Sequence, residues 1–176
     1  MKTCFGIIFV LISTPIPCGC VSYVNIPRQV GDFAIHDPNL RSVRQVEAKA
    51  IQTVLAEQPV ETQVQIILPE GTKPACYDAL VKQLGANTTW FDMGPQPGAL
   101  VIQVRQVRIR GWRAEVDLIR PSHFQMPPGP HQLTTVSLKW DPGAGWQSQH
   151  VQLWSIGVRE ALFDSRRQAA RGIAKQ

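Results

Sequence analysis

The chain has 176 residues, a formal net charge of +5 and a hydrophobic content of 44%. A chain of this length can bury a hydrophobic core without disulfide cross-links. Its mild and dispersed positive charge lacks the clustered basic and aromatic residues that indicate a nucleic-acid binder. The sequence has no internal repeat and no apolar run long enough for a membrane-spanning helix.

The first residues of the chain have the pattern of a secretory leader. Lys2 supplies one positive charge, residues 5–12 are apolar, and prolines follow them. An apolar segment of this length is too short for a stable transmembrane helix and is typical of a signal peptide. We therefore predict a signal peptide over residues 1–19.

The residues around the end of this leader are Pro17-Cys18-Gly19-Cys20, and they resemble the lipobox of bacterial lipoproteins. Gly19 matches the small residue that precedes the modified cysteine, whereas Pro17 stands where the pattern usually has leucine. The resemblance implies a lipid anchor on Cys20 and a location in the cell envelope, on the periplasmic or outer side. Ordinary secretion without a lipid is the alternative.

Cys76 is the one cysteine after Cys20, so the mature domain is expected to have no internal disulfide if the leader is removed before Cys20. A lone cysteine can be a nucleophile or a redox site. Its helical spacing from Leu80 and Leu84 favours a packing residue instead.

The first half of the mature chain predicts two helices and two short strands. Residues 20–38 lack a period and indicate a tether or extended segment, which precedes a single domain over residues 39–158. Hydrophobic periodicity predicts helices at about 40–57 and 73–84, and strands at 64–68 and 88–91. On the first helix, the face with Arg44, Glu47, Lys49 and Gln52 is expected to be solvated.

Residues 99–121 carry the longest strand pattern in the sequence. Apolar residues alternate from Leu100 to Val104 and then continue on the opposite parity from Val107. Because side-chain direction alternates strictly along a strand, one extra residue must separate the two sets. We therefore predict a β-bulge at Arg105-Gln106.

Gly111 can adopt a positive φ, which predicts a two-residue turn at Arg110-Gly111. That turn would place Ile109 opposite Trp112 and Val107 opposite Ala114, and Trp112 would lie on the inner face of the sheet.

The outer face of this hairpin is rich in arginine. The predicted register sets Arg108 opposite Arg113 and brings Arg105 near Glu115. Like charges directly opposite each other are unfavourable unless they are solvated or matched by an anion. Arg105, Arg108 and Arg113 are therefore the candidate surface for a partner or an anion, and an ordinary solvated face is the alternative.

The last part of the chain predicts a proline-rich loop over residues 121–130, followed by two more strands. These strands are expected at 134–140 and 146–158, with a turn at 141–145 that would let Trp140 and Trp146 pair. A basic tail over residues 159–176 lacks apolar periodicity and is expected to be disordered.

The sequence contains no motif for a catalytic serine, a phosphate loop, a dinucleotide or a zinc protease. The four histidines are scattered, and none has metal-ligand spacing to another His, Cys or carboxylate. We accordingly predict no catalytic residue, no metal site and no cofactor.

The order of elements predicts an α+β fold, in which two helices pack on one face of a curved, mainly antiparallel sheet that ends in a four-stranded meander. Three functional hypotheses follow. The first is a cell-envelope lipoprotein that binds an envelope protein or an anionic polymer without catalysis, and no nucleic acid. The second is a small-ligand protein with a tryptophan-lined cavity between sheet and helices. The third is a secreted hydrolase in which His123 or His150 meets a hydroxyl and a carboxylate.

Overall fold

The computed structural model describes residues 23–91, 94, 96–121 and 131–157, and only the backbone of 155–157. The predicted signal peptide, the anchor at Cys20, the loop that holds His123 and the tail from residue 159 lie outside the described residues. The described elements are, in chain order, β1 (Tyr23–Ile26), α1 (Arg41–Leu55), β2 (Val64–Ile67), α2 (Pro74–Leu84), β3 (Thr88–Trp90), β4 (Leu100–Arg110), β5 (Arg113–Pro121), β6 (His131–Asp141) and β7 (Gly145–Gly157).

The seven described strands form one open sheet in the order β3-β2-β4-β5-β6-β7, with β1 paired to β4 as well. The strands β4 to β7 form an antiparallel meander, whereas β2 is parallel to both β3 and β4. The strands β1 and β2 share one edge of β4, because β2 pairs with its first residues and β1 with its last. This mixed, mainly antiparallel sheet confirms the predicted α+β fold.

Both helices lie on the same side of the sheet. The helix α1 contacts β4, β5, β6 and β7, and α2 contacts α1 and β3. The inner face of the sheet is the side that meets α1, and alternating aliphatic residues of the meander fill it, including the fully buried Ile102, Val107, Val116 and Val136. Burial of this apolar area is the main force that holds the helix layer on the sheet.

The two faces of α1 differ from the prediction at one residue. Glu47 was expected on the solvated face, but only 1% of its surface is exposed. The prediction is wrong because Glu47 lies four residues after Val43 and three before Ala50, which places it within the buried stripe of α1 and not on the opposite face. Helical spacing alone therefore indicates the burial of Glu47, in spite of its charge.

The β4–β5 hairpin contains the predicted bulge but not the predicted turn. The register shifts between Val104 and Gln106, so the bulge at Arg105 is confirmed. Arg110 pairs with Arg113, which leaves Gly111 and Trp112 as the two turn residues. Gly111 has a φ of 57°, as expected for the first central position of a type II′ turn. Trp112 therefore leaves the inner face and is 66% exposed.

The chain enters the sheet almost directly after the predicted leader. The strand β1 pairs antiparallel with the end of β4, from Tyr23 opposite Arg110 to Ile26 opposite Val107. Val24 and Ile26 are both 2% exposed and belong to the hydrophobic core. From residue 23 onwards, the segment expected to be a tether or extended stretch thus supplies a strand.

The last hairpin has the predicted turn and the predicted aromatic pair. Asp141 pairs with Gly145, and the rings of Trp140 and Trp146 meet edge to face at a centroid distance of 5.5 Å. Two register shifts interrupt the pairing of β6 with β7. They explain why apolar residues do not alternate regularly along the sequence of β7.

Candidate functional site

Three basic residues stand side by side across three neighbouring strands on the outer face. Arg110 of β4 pairs with Arg113 of β5, and Arg113 pairs in turn with Lys139 of β6. We call Arg110, Arg113 and Lys139 the cationic row. All three are exposed, and within the described residues no ion pair joins any of them to a carboxylate. Neighbouring strands lie about 4.8 Å apart, so the row repels itself in the absence of an anion.

The cationic row borders a shallow depression of about 350 Å³. Arg108, Arg110, Arg113, Ala114 and Glu115 line it. Three of these lining residues are arginines and one is a carboxylate. Guanidinium groups bind carboxylates and phosphates through pairs of N–H donors, so the depression is suited to an anion.

Tyr23 holds the first arginine of the row in place. The guanidinium of Arg110 lies over the Tyr23 ring, 4.9 Å from its centroid, and Nη2 is 3.4 Å from the phenol oxygen. The hydrogen bond with Tyr23 raises the pKa of Arg110 further above its ordinary value, at which an arginine is already a cation at every physiological pH. A fixed cation loses less side-chain entropy when an anion binds to it.

Arg108 differs from the row because it is already neutralised. Its Nε lies 3.2 Å from Glu115 Oε2, in an ion pair without hydrogen-bond alignment, and Nη2 donates to Asp117 Oδ1 at 3.2 Å. The same Asp117 oxygen accepts a hydrogen bond from Thr135 at 2.7 Å, and Trp154 donates to Thr135 at 3.0 Å. Arg108 therefore belongs to a chain of polar contacts that extends over four strands, from β4 to β7.

The observed register corrects the predicted charge pairs. Arg108 lies opposite Glu115 and not opposite Arg113, because the turn is displaced by one residue. Arg105 does not lie near Glu115, since it is the extra residue of the bulge and has no cross-strand partner. The depression thus brings Arg108 and Arg113 together but not Arg105, and the sequence prediction missed Arg110 and Lys139.

Of the two histidines in the hydrolase hypothesis, the structure describes His150 and not His123. Ser137 lies between Glu115 on β5 and His150 on β7 in the register of the sheet. Catalytic triads place the histidine between the hydroxyl and the carboxylate, whereas here the serine is in the middle. Among the described hydrogen bonds, none joins His150 to Ser137, and Glu115 is directed to Arg108.

The small-ligand hypothesis predicts a cavity lined by tryptophan between the sheet and the helices. Aliphatic side chains fill this layer, and Trp112 lies at an exposed turn. A second depression, of about 400 Å³, lies elsewhere, near the carboxyl ends of α1 and α2. In the described part of the chain, no tryptophan lines either depression.

Within residues 23–157, as far as the structure describes them, no group of three His, Cys, Asp or Glu side chains could hold a metal ion. Cys76 is half-buried, and its Sγ lies 3.9 Å from the Asn39 carbonyl oxygen. None of the described helices has the length and apolar character needed to cross a membrane.

Comparison of the chain with protein-family models, with curated proteins and with solved structures found no match. The geometry of the sheet is therefore the basis for the functional proposals below.

Proposed function

We propose that this protein is a cell-envelope lipoprotein that acts as a non-catalytic binding module and recognises an anionic partner with the outer face of its sheet. The cationic row is the observation that carries the proposal. Three exposed cations in one row repel each other, and an anion that bridges them removes that repulsion.

The charge pattern around the row supports a multivalent anion over a single small one. Arg110 and Lys139 are two strands apart, about 10 Å at the spacing of a sheet. A small monovalent anion reaches one or two of these side chains, whereas a polymer or a surface with repeated anionic groups reaches all three. Arg108 adds little, because two carboxylates already hold it.

A lipid anchor on Cys20 supports an envelope location for this binding face. Cys20 precedes Tyr23 by three residues, and Tyr23 pairs with Arg110 of the row. The anchor would therefore hold the domain by the strand that borders the binding face.

The recognition part of the proposal is tested with inorganic polyphosphate as a soluble probe. The double variant Arg113→Gln/Lys139→Gln is expected to bind polyphosphate at least tenfold more weakly, since two cations of the row are lost. The control Arg105→Gln/Lys82→Gln removes the same net charge from exposed positions outside the row and is expected to change binding less than twofold. Equal losses of polyphosphate affinity in both variants would mean that net charge, and not the cationic row, attracts the anion.

The anchor is tested by intact-mass analysis of the protein extracted from membranes. A lipid-modified Cys20 at a new amino terminus is the expected result. An unmodified amino terminus, or a chain that retains residues 1–19, would contradict the anchored part of the proposal.

A further inference from the structure

Three chain segments meet at one end of the sheet. These are the start of β1 at Tyr23, the β4–β5 turn at Gly111-Trp112, and the β6–β7 turn that follows Asp141. The cationic row crosses the sheet at this same end, with Tyr23 as its neighbour on β1. This end of the sheet therefore contains the start of β1, an exposed tryptophan and three cations. We call it the row end.

We infer that the row end docks on the anionic lipid headgroups of the membrane in which Cys20 is anchored. Because the anchor belongs to the proposed function, the docking rests on that proposal. The occupant of the cationic row is then the phosphate of a lipid headgroup, and the sheet stands with its row end toward the bilayer.

The length of chain between the anchor and the sheet supports this orientation. Only two residues separate Cys20 from Tyr23, and an extended chain spans at most about 3.6 Å per residue. A lipid on Cys20 thus limits Tyr23 to roughly 11 Å from the anchored residue. The strand β4 has 11 residues, so its other end lies about 30 Å further away.

Trp112 gives the row end an apolar contact that a soluble polyanion would not use. It occupies the tip of the β4–β5 turn and is 66% exposed, while its backbone oxygen accepts a hydrogen bond from the Trp140 N–H at 2.8 Å. The backbone of the turn is thereby held and the indole faces outward. Tryptophan is enriched at the headgroup level of membranes, because its ring is apolar and its N–H is polar.

Charges at the row end also favour an anionic lipid surface. Each basic residue close to such a surface increases binding about fivefold. Three acidic residues lie nearby: Glu115 pairs with Arg108, Asp141 accepts the N–H groups of Gly143 and Ala144, and Asp32 accepts hydrogen bonds from Asn25 and Ala34. Within the described residues none of these carboxylates forms an ion pair with the row, so its three cations are available to lipid phosphates.

The test uses the full lipidated protein in vesicles of phosphatidylcholine alone or with phosphatidylglycerol, each made with brominated acyl chains that quench nearby indoles. We expect at least twofold stronger quenching in the vesicles that contain phosphatidylglycerol. Trp112→Phe is expected to remove this additional quenching, although the other tryptophans remain. Arg113→Gln/Lys139→Gln is expected to reduce it to the level of phosphatidylcholine alone, and Arg105→Gln/Lys82→Gln to leave it unchanged.

Two outcomes would overturn lipid docking. The first is equal quenching in both kinds of vesicle, and the second is additional quenching that persists in Trp112→Phe. If polyphosphate binding still depended on the cationic row in either case, recognition of an anionic partner would stand and the partner would be a soluble polymer or protein. An unmodified Cys20 in the mass spectrum would instead remove the anchor on which the orientation depends.

Discussion

The inner face of the sheet is apolar, whereas its outer face carries several charged side chains. On the inner face, apolar side chains meet α1, and the buried Glu47 has an oxygen without a hydrogen-bond partner among the described residues. On the outer face, charged residues stand in rows, one row paired and the next uniformly cationic. Burial raises the pKa of Glu47 to about 8 and so favours the neutral acid, whereas the exposed cations of the row keep their charge and are available to a partner.

Removal of apolar volume should distinguish the two faces most strongly. Ile102 is completely buried under the helix layer, and Ile102→Ala is expected to lower the free energy of unfolding by about 3 kcal/mol, because it removes burial and leaves a cavity. Val60→Ala, at a residue that is 92% exposed, should change it by less than about 0.5 kcal/mol. Urea denaturation of both variants measures the difference, and equal effects would contradict the assignment of the core.

The buried carboxyl of Glu47 should make the stability depend on pH. Burial raises its pKa from the ordinary 4.5 to about 8, and the neighbouring Arg44 only partly opposes this. Between these two values the folded protein retains a proton that the unfolded chain has released. The stability it contributes is therefore complete below pH 4.5 and is lost as the pH rises toward 8.

The variant Glu47→Gln is expected to remove this pH dependence. The wild-type protein should lose on the order of 1 kcal/mol of unfolding free energy per pH unit between pH 5 and 8 from this group, roughly 3 kcal/mol in all. The neutral amide cannot release a proton, so its profile should be flatter by that amount. Glu61→Gln changes an exposed carboxylate and should leave the slope as it is. Parallel profiles for wild type and Glu47→Gln would place the Glu47 carboxylate in a solvated or paired environment.

The sequence predicted those features that depend on local pattern. The bulge at Arg105 followed from the change of parity within β4, and the last turn followed from Asp141-Pro142-Gly143. Hydrophobic periodicity placed both helices within about two residues of their observed ends.

The register of the β4–β5 hairpin could not be settled by apolar alternation. A turn at Arg110-Gly111 and a turn at Gly111-Trp112 give registers that differ by two residues, so both keep the same side chains on the inner face apart from Trp112, which moves into the turn. Turn chemistry distinguishes them, because glycine takes the first central position of a type II′ turn. The opposite charges of Arg108 and Glu115 were a second signal, since only the observed register pairs them.

The cationic row depends on contacts that no local pattern indicates. Lys139 lies beside Arg113 through the register of β5 with β6, which are separated by nine residues in the sequence. Tyr23 lies beside Arg110 because β1 pairs with the end of β4. The sequence of β1 has no strand periodicity that would predict this pairing. Tertiary pairing decides both contacts.

The smallest expected effect concerns Arg108, which differs from the cations of the row because Glu115 and Asp117 neutralise it. The variant Glu115→Gln removes the more exposed of these two carboxylates and leaves Asp117 on the guanidinium. Because exposed ion pairs contribute little, the free energy of unfolding should change by less than about 1 kcal/mol. The depression loses its one lining acid, so the affinity for polyphosphate should rise about threefold, measured by titration at low ionic strength.

Asp78→Asn is the matched control for this variant, since it removes one exposed acid from α2 on the helix side of the sheet. It should alter polyphosphate affinity by much less, because a charge separated from the row by more than the screening length has little influence on it. If the two variants increased the affinity equally, net charge and not the local arrangement of the outer face would control binding. If Glu115→Gln left the affinity unchanged, the anion would contact the cationic row away from Arg108, at the strand ends near Trp112. That result would separate the row from the depression and leave Arg108 with a purely structural role between β4 and β5.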